Sequence, residues 1–338
     1  MITRIASQEK TARWRQQLDE AITRPDALLQ ALELAPSQLP DMVGAHGLFR
    51  LKVPNSYVAR MKKGDPSDPL LLQILPQARE LEPQPAGYTT DPVGDLPASP
   101  LPGLIHKYHG RVLLITSPAC AVHCRYCFRR QFPYQDALTS RDHWPAALDY
   151  IAGDASIAEV ILSGGDPLML PDAQLARIAA QLADIPHLQT LRIHTRLPVV
   201  IPARVDDALL GWLSETPLQT VIVIHCNHPA EIDDELAAAL RRLANAGTRL
   251  FNQSVLLRGV NDDPATLATL SRRLFDCQTQ PYYLHLLDKV DGAAHFDVEP
   301  ARASAIHDAL SARLPGYLVP RLVQDLPGQP AKRALHHG

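Results

Sequence analysis

From residue 111 onward, short runs of aliphatic and β-branched residues alternate with longer stretches whose apolar positions recur every three or four residues. The short runs are Arg111–Thr116, Glu159–Ser163, Thr190–Thr195, Thr220–His225, Phe251–Leu257 and Tyr282–Leu287. They are nearly continuously apolar, the pattern of strands covered on both faces. In one intervening stretch Ile232, Leu236, Leu240 and Leu243 share a helical face, and Gly247 stands where a C-terminal cap glycine belongs. Strand–helix alternation predicts an α/β fold with a parallel sheet, curled into a full or partial barrel. Polar residues gather where these strands end: Ser163-Gly164-Gly165-Asp166, His194-Thr195-Arg196, His225 with Asn227 and His228, and Asp288. That rim is where α/β barrels carry their chemistry.

The first third of the chain reads differently. Residues 1–35 are amphipathic and helical in pattern, 40–63 are mixed, and Met61-Lys62-Lys63-Gly64 suggests an exposed turn. Between residues 65 and 104 stand nine prolines, each fixing φ and removing a backbone donor. This predicts an extended connection, so that residues 1–104 form a helical lead-in with a Pro-rich link and residues 105–338 form the core.

Composition narrows the function classes. Hydrophobic residues make up 46 % of 338 and the net charge is -3, a globular balance without the basic footprint of a nucleic-acid binder. No run of about 18 apolar residues exists to span a membrane, and charges are spread through the N-terminus, against a secretory signal. The expectation is a cytoplasmic protein. Five cysteines are present, and Cys120, Cys124 and Cys127 crowd into eight residues as C-x3-C-x2-C directly after the first strand. Clustered thiolates suit an iron–sulfur cluster or zinc. Three could hold three irons of a cubane and leave the fourth open, whereas a structural zinc site would want a fourth ligand. Cys226 and Cys277 are expected to be buried thiols.

The triad followed by an aromatic residue resembles the radical S-adenosylmethionine (SAM) superfamily. The resemblance implies a partial (β/α)6-type barrel and a [4Fe-4S] cluster on Cys120, Cys124 and Cys127. The open iron would chelate SAM, whose reductive cleavage gives a 5′-deoxyadenosyl radical, and an electron donor is implied. Gly164, Gly165 and Asp166 then resemble the SAM amino-group contact. Alone, the glycine pair reads equally as an ordinary turn. Longer strings, YHGRVLLIT (108–116), SGGDPL (163–168), RIHTRLPVV (192–200), HCNHPAEI (225–232) and NQSVLLRGVND (252–262), are similar to the lysine 2,3-aminomutases.

That family uses pyridoxal 5′-phosphate (PLP), held by a lysine after a D-x-P-Gly-rich segment. Lys332 is the matching lysine, although Gln329, Pro330 and Ala331 stand where glycines are usual. The resemblance assigns Arg111 to the PLP phosphate, a job suited to a guanidinium fork. It assigns Arg129 to the substrate carboxylate, Asp288 and Asp325 to the ε-ammonium of lysine, and His225 and Gln253 to the neighbourhood of SAM. The implied reaction moves the amino group of L-lysine from C2 to C3. Two branches compete. One makes (R)-β-lysine for elongation factor P and its lysyl ligase, and the other acts on free lysine. His194 and Cys226, where free-lysine enzymes commonly carry glycine and phenylalanine, and the short tail after Lys332 resemble the first. A non-catalytic iron–sulfur or zinc scaffold is the remote alternative.

Overall fold

The computed structural model describes residues 13–39, 42, 49–138 and 143–335. Nine strands form one sheet in which each pairs with the next in sequence, so the barrel is open between its first and last members. A hairpin, β1 (Leu104–Tyr108) and β2 (Arg111–Ser117), starts it and turns at Gly110, which has a φ of 79°. From β2 the sheet runs parallel through β3 (Glu159–Gly164), β4 (Thr190–Thr195), β5 (Gln219–Ile224), β6 (Arg249–Val255), β7 (Thr279–His285) and β8 (Arg321–Gln324). A short β9 (Arg333–Ala334) returns antiparallel on β8.

Six helices make the crossovers: α1 (His143–Gly153), α2 (Asp172–Ala183), α3 (Asp207–Glu215), α4 (Asp234–Asn245), α5 (Pro264–Asp276) and α6 (Pro300–Ser311). The partial (β/α)6-type barrel implied by the resemblance is therefore present, with β8 added as a seventh parallel strand. Helix starts follow local chemistry. Asp206, Asp233 and Asp263 cap α3, α4 and α5 by accepting backbone N–H bonds, which satisfies donors the first turn leaves open. In α4, Leu236, Leu240 and Leu243 are buried as their spacing predicts, and Gly247 follows the end with a φ of 88°. Ile232 is buried but precedes the capping residue.

Two expectations change. Not every strand is buried on both faces as β3 is at 160–163 and β5 at 222–224. In β4, Leu191, Ile193 and Thr195 are buried while Thr190, Arg192 and His194 alternate with them half-buried. In that strand one face is packed with hydrocarbon and the other carries polar groups. The later strands also begin earlier than the pattern suggests, β6 at Arg249 and β7 at Thr279. Pro281 reads as a breaker in sequence, but it sits beside a register shift at Asn252/Gln253, a place where a strand tolerates a missing donor.

The lead-in is more than a link. Trp14, Leu28, Leu51, Tyr57, Leu70 and Ile74 belong to the same buried cluster as the barrel strands. Residues 1–12 of the expected amphipathic stretch lie outside the described residues. Of the predicted exposed turn, Met61 is buried and only the lysines and Gly64 face water. The Pro-rich segment contains a short helix, Pro69–Leu72, capped by buried Asp68, and it buries Gln73, Glu80 and Asp95. Among the described residues no helix is long and apolar enough to cross a membrane.

Candidate active site

The cysteine loop leaves the C-terminal end of β2, and its backbone is held by the lead-in. His123 N–H donates to Lys52 O (3.0 Å), Arg125 N–H donates to Gln73 O (2.9 Å), and Lys52 Nζ donates to Cys120 O (3.0 Å). Buried Glu80 bridges Arg125 and Arg130, on either side of Cys127. Cys120, Cys124 and Cys127 are half-buried and unbridged. Burial, then the neighbouring Cys127 thiol, pushes the Cys120 thiol well up; burial, then Cys124, pushes Cys127 to about 11. A loop that carries three thiols, with Cys120 and Cys127 held against their own ionisation, fits a bound cationic centre that would take them as thiolates. Among the described residues no three His, Cys, Asp or Glu side chains converge as ligands of one ion would. Cysteines on separate irons of a cubane need not converge.

The glycine pair has a definite geometric reason. Gly165 N–H donates to Ser117 O (2.6 Å) and Asp166 N–H to Ala119 O (2.8 Å), so the turn after β3 lies directly on the entry to the cysteine loop. A Cβ on Gly164 would meet Ser117 O at 2.5 Å, and one on Gly165 would meet Ala119 O at 2.4 Å. Gly164 also has a φ of 128°, where side chains are strained. The close approach that demands glycine here is to the chain itself. Asp166 is equally occupied: its carboxylate accepts Leu168, Arg196 and Leu197 N–H and the Thr195 hydroxyl, tying the turn to the end of β4.

Just beyond Cys127, Arg129 is buried. Its Nε donates to Asp95 (2.8 Å) and its Nη1 to Ser163 Oγ (3.0 Å), and Lys107 Nζ reaches the other Asp95 oxygen at 2.6 Å. Burial alone would raise the Asp95 carboxyl, but Arg129 and Lys107 outweigh it and hold it below the usual range. Lys332 pairs with Asp325, which also accepts from Tyr108 OH (2.8 Å), while Arg111 lies over the Tyr108 ring at 4.8 Å. The tail lysine, its acid and the strand-start arginine are thus brought together. Asp288 is half-buried with its Oδ1 atom enclosed and unpartnered, and desolvation raises its carboxyl to about 7, with Lys332 opposing and Asp325 reinforcing.

His225 and Gln253 are joined through their Nε2 atoms (3.0 Å), and His194 stacks edge-on against His225 at 5.9 Å. Burial, then the Arg196 and Arg129 charges, holds His225 down to about 3, so it is neutral. His194 and His285 are also kept neutral by burial, each has an unpartnered Nε2, and each senses Lys332. Buried polar atoms left without partners call for a polar occupant. Asp288, His194 and His285 turn such atoms into the same mouth, which suits PLP and an amino-acid substrate. Cys226 and Cys277 are buried as expected. Sequence reasoning missed Asp95, Lys107, Glu80 and His285; the first three sit on or beside the Pro-rich segment, where no periodicity marks them.

A model of the radical SAM superfamily matches residues 114–270. The chain is 47 % identical over 333 residues to an L-lysine 2,3-aminomutase of Haemophilus influenzae, covering 97 % of this chain and 98 % of that one. It is 47 % identical over 323 residues to an L-lysine 2,3-aminomutase of Escherichia coli, covering 95 % and 94 %. The L-lysine 2,3-aminomutase of Clostridium subterminale is 35 % identical over 316 residues, covering 93 % and 76 %.

Proposed function

The chain belongs to the lysine 2,3-aminomutase family of radical SAM enzymes, and from that premise we propose that it converts L-α-lysine to (R)-β-lysine for modification of elongation factor P. The observation that carries this reading is the meeting, at one mouth of one open barrel, of the cysteine loop with Arg129 on one side and Lys332 with Asp325 and Asp288 on the other. When bound, the cluster with SAM supplies the radical and PLP supplies the aldehyde that accepts the migrating nitrogen.

The chain's own residues do the holding. Cys120, Cys124 and Cys127 ligate the cluster, and an external one-electron donor reduces it. Arg129 exchanges Asp95 for the substrate carboxylate, a substitution of one carboxylate for another that leaves its burial compensated. Asp288 and Asp325 take the ε-ammonium, which supplies the cation that a raised, unpartnered Asp288 lacks. Lys332 holds PLP between turnovers, and Arg111 takes its phosphate. His225 and Gln253, locked to each other, form a neutral wall near SAM.

Lys332→Ala tests the PLP assignment. Wild-type protein loaded with PLP is expected to show a visible absorption band without added amine, and the variant to lack it; a band that survives would remove Lys332 from its role. For the elongation-factor reading, supported by His194 and Cys226, the product is offered to the cognate ligase with elongation factor P. Transfer is expected, and refusal would favour the free-lysine enzyme.

A further inference from the structure

The strings RIHTRLPVV and HCNHPAEI contribute Arg196, Asn227 and Glu231, none of which the reading above employs. The structure folds them into one buried network against the cysteine loop. Arg196 is 6 % exposed and Glu231 is fully buried. Arg196 Nη1 donates to Cys124 Sγ at 2.7 Å and also to Tyr126 OH. Its Nη2 donates to Glu231 Oε1 (2.6 Å), Gln73 Oε1 (2.8 Å) and Tyr57 OH (3.0 Å). Glu231 is held in turn by Tyr57 OH (2.7 Å) and by the N–H groups of Asn227 and His228. Asn227 Nδ2 donates to Tyr126 OH (2.7 Å) and Gln73 Oε1 (3.0 Å), and Tyr126 OH lies within hydrogen-bond reach of Cys124. Asp166 fixes the Arg196 backbone by accepting its N–H at 2.8 Å.

A buried ion pair of this kind is a poor device for stability, because desolvating both charges offsets most of their attraction. Its placement is informative instead. One end of the pair touches a sulfur of the loop, and the other end is a carboxylate that partly cancels the cation's field. Hydrogen bonds to cluster sulfurs and the local net charge are what set the potential of an iron–sulfur centre. We propose that Arg196 is a positioning and tuning residue for the cluster, raising its reduction potential through the hydrogen bond to Cys124 Sγ, with Glu231 setting how far. The inference rests on the reading that Cys124 is a cluster ligand. A reduced cluster carries more negative charge, so a cation on its sulfur favours reduction, and a nearby carboxylate opposes it.

The two ends of the pair predict opposite shifts, which loss of packing would not produce. Anaerobically reconstituted full-length protein, without SAM, is titrated with dithionite and mediators and followed by electron paramagnetic resonance, with iron content measured alongside. At a fixed potential, Arg196→Gln is expected to lower the reduced-to-oxidised ratio about tenfold, about 59 mV for a one-electron couple. Glu231→Gln is expected to raise the ratio, and Arg196→Lys to fall between wild type and Arg196→Gln. If Arg196→Gln retains no iron, the sign of the Glu231→Gln shift decides. Unshifted potentials, shifts of the same sign in Arg196→Gln and Glu231→Gln, or loss of iron from both would overturn the proposal, the last by showing that the network only holds the loop. A wild-type protein with no reducible cluster would instead refute the underlying reading.

Discussion

Asp288 shows how a single desolvated group couples stability to function. Its carboxyl titrates near 7 in the folded chain, against about 3.9 in an unfolded one. Between those values the folded protein keeps a proton that the unfolded chain has released, so this group's effect is that ligand-free stability falls as pH rises through the window. Above pH 7 the charged, partnerless carboxylate costs on the order of 2–4 kcal/mol. Asp288→Asn removes that cost. The ligand-free variant is expected to melt a few degrees above wild type at pH 8 in anaerobic thermal denaturation, and an equal or lower melting point would contradict the burial account. The same carboxylate must be charged to meet an ammonium, so the KM for lysine in the wild type is expected to rise as pH falls below about 7. Of the candidate site, the cysteine triad was marked by its own spacing, and Lys332, Arg129, Asp325 and Asp288 by motif resemblance. His285 was not, because nothing in its local string distinguishes an inward imidazole from a packed one.

The cysteine loop is the element on which the fold spends most of its buried charge. Glu80 accepts from Arg125 and Arg130 together, and both guanidiniums lie over the Phe49 ring at 4.8 Å. Removing one partner of a buried pair strands the others, at about 3–5 kcal/mol. Glu80→Gln is therefore expected to lower the urea midpoint and to reduce iron retained on reconstitution; an unchanged midpoint with full iron would show that the bridge is dispensable. These contacts show that the Pro-rich segment, while largely extended connection, also carries buried partners that its sequence does not reveal. Its burial is decided by partners far along the chain, Glu80 with Arg125 and Asp95 with Arg129, and proline spacing reports only local conformation. The barrel strands were legible for the opposite reason. Each is a short, nearly continuous apolar run, so a local pattern suffices. The polar face of β4 was hidden because a half-buried Arg192 reads in sequence like an exposed one.

At the scale of the molecule, the parallel sheet places every strand end at one mouth, and the lead-in closes onto that mouth through Gln73, Glu80 and Asp95. The consequence is a candidate site in which the cysteine loop and the acids Asp288 and Asp325 are fixed by different parts of the chain and meet only when all of it folds. Radical chemistry on a bound amino acid needs that arrangement, since both halves must be in place before a reactive species forms. Lys332 lies just before β9, at the open edge of the sheet, where it pairs with Asp325. The most direct measurement is anaerobic turnover of L-lysine by the reconstituted protein with SAM, PLP and dithionite, with chiral analysis of the product. The account predicts (R)-β-lysine, abolished by alanine at Cys120, Cys124 or Cys127 and by Lys332→Ala. A protein that reduces its cluster and cleaves SAM yet leaves lysine unchanged would contradict it.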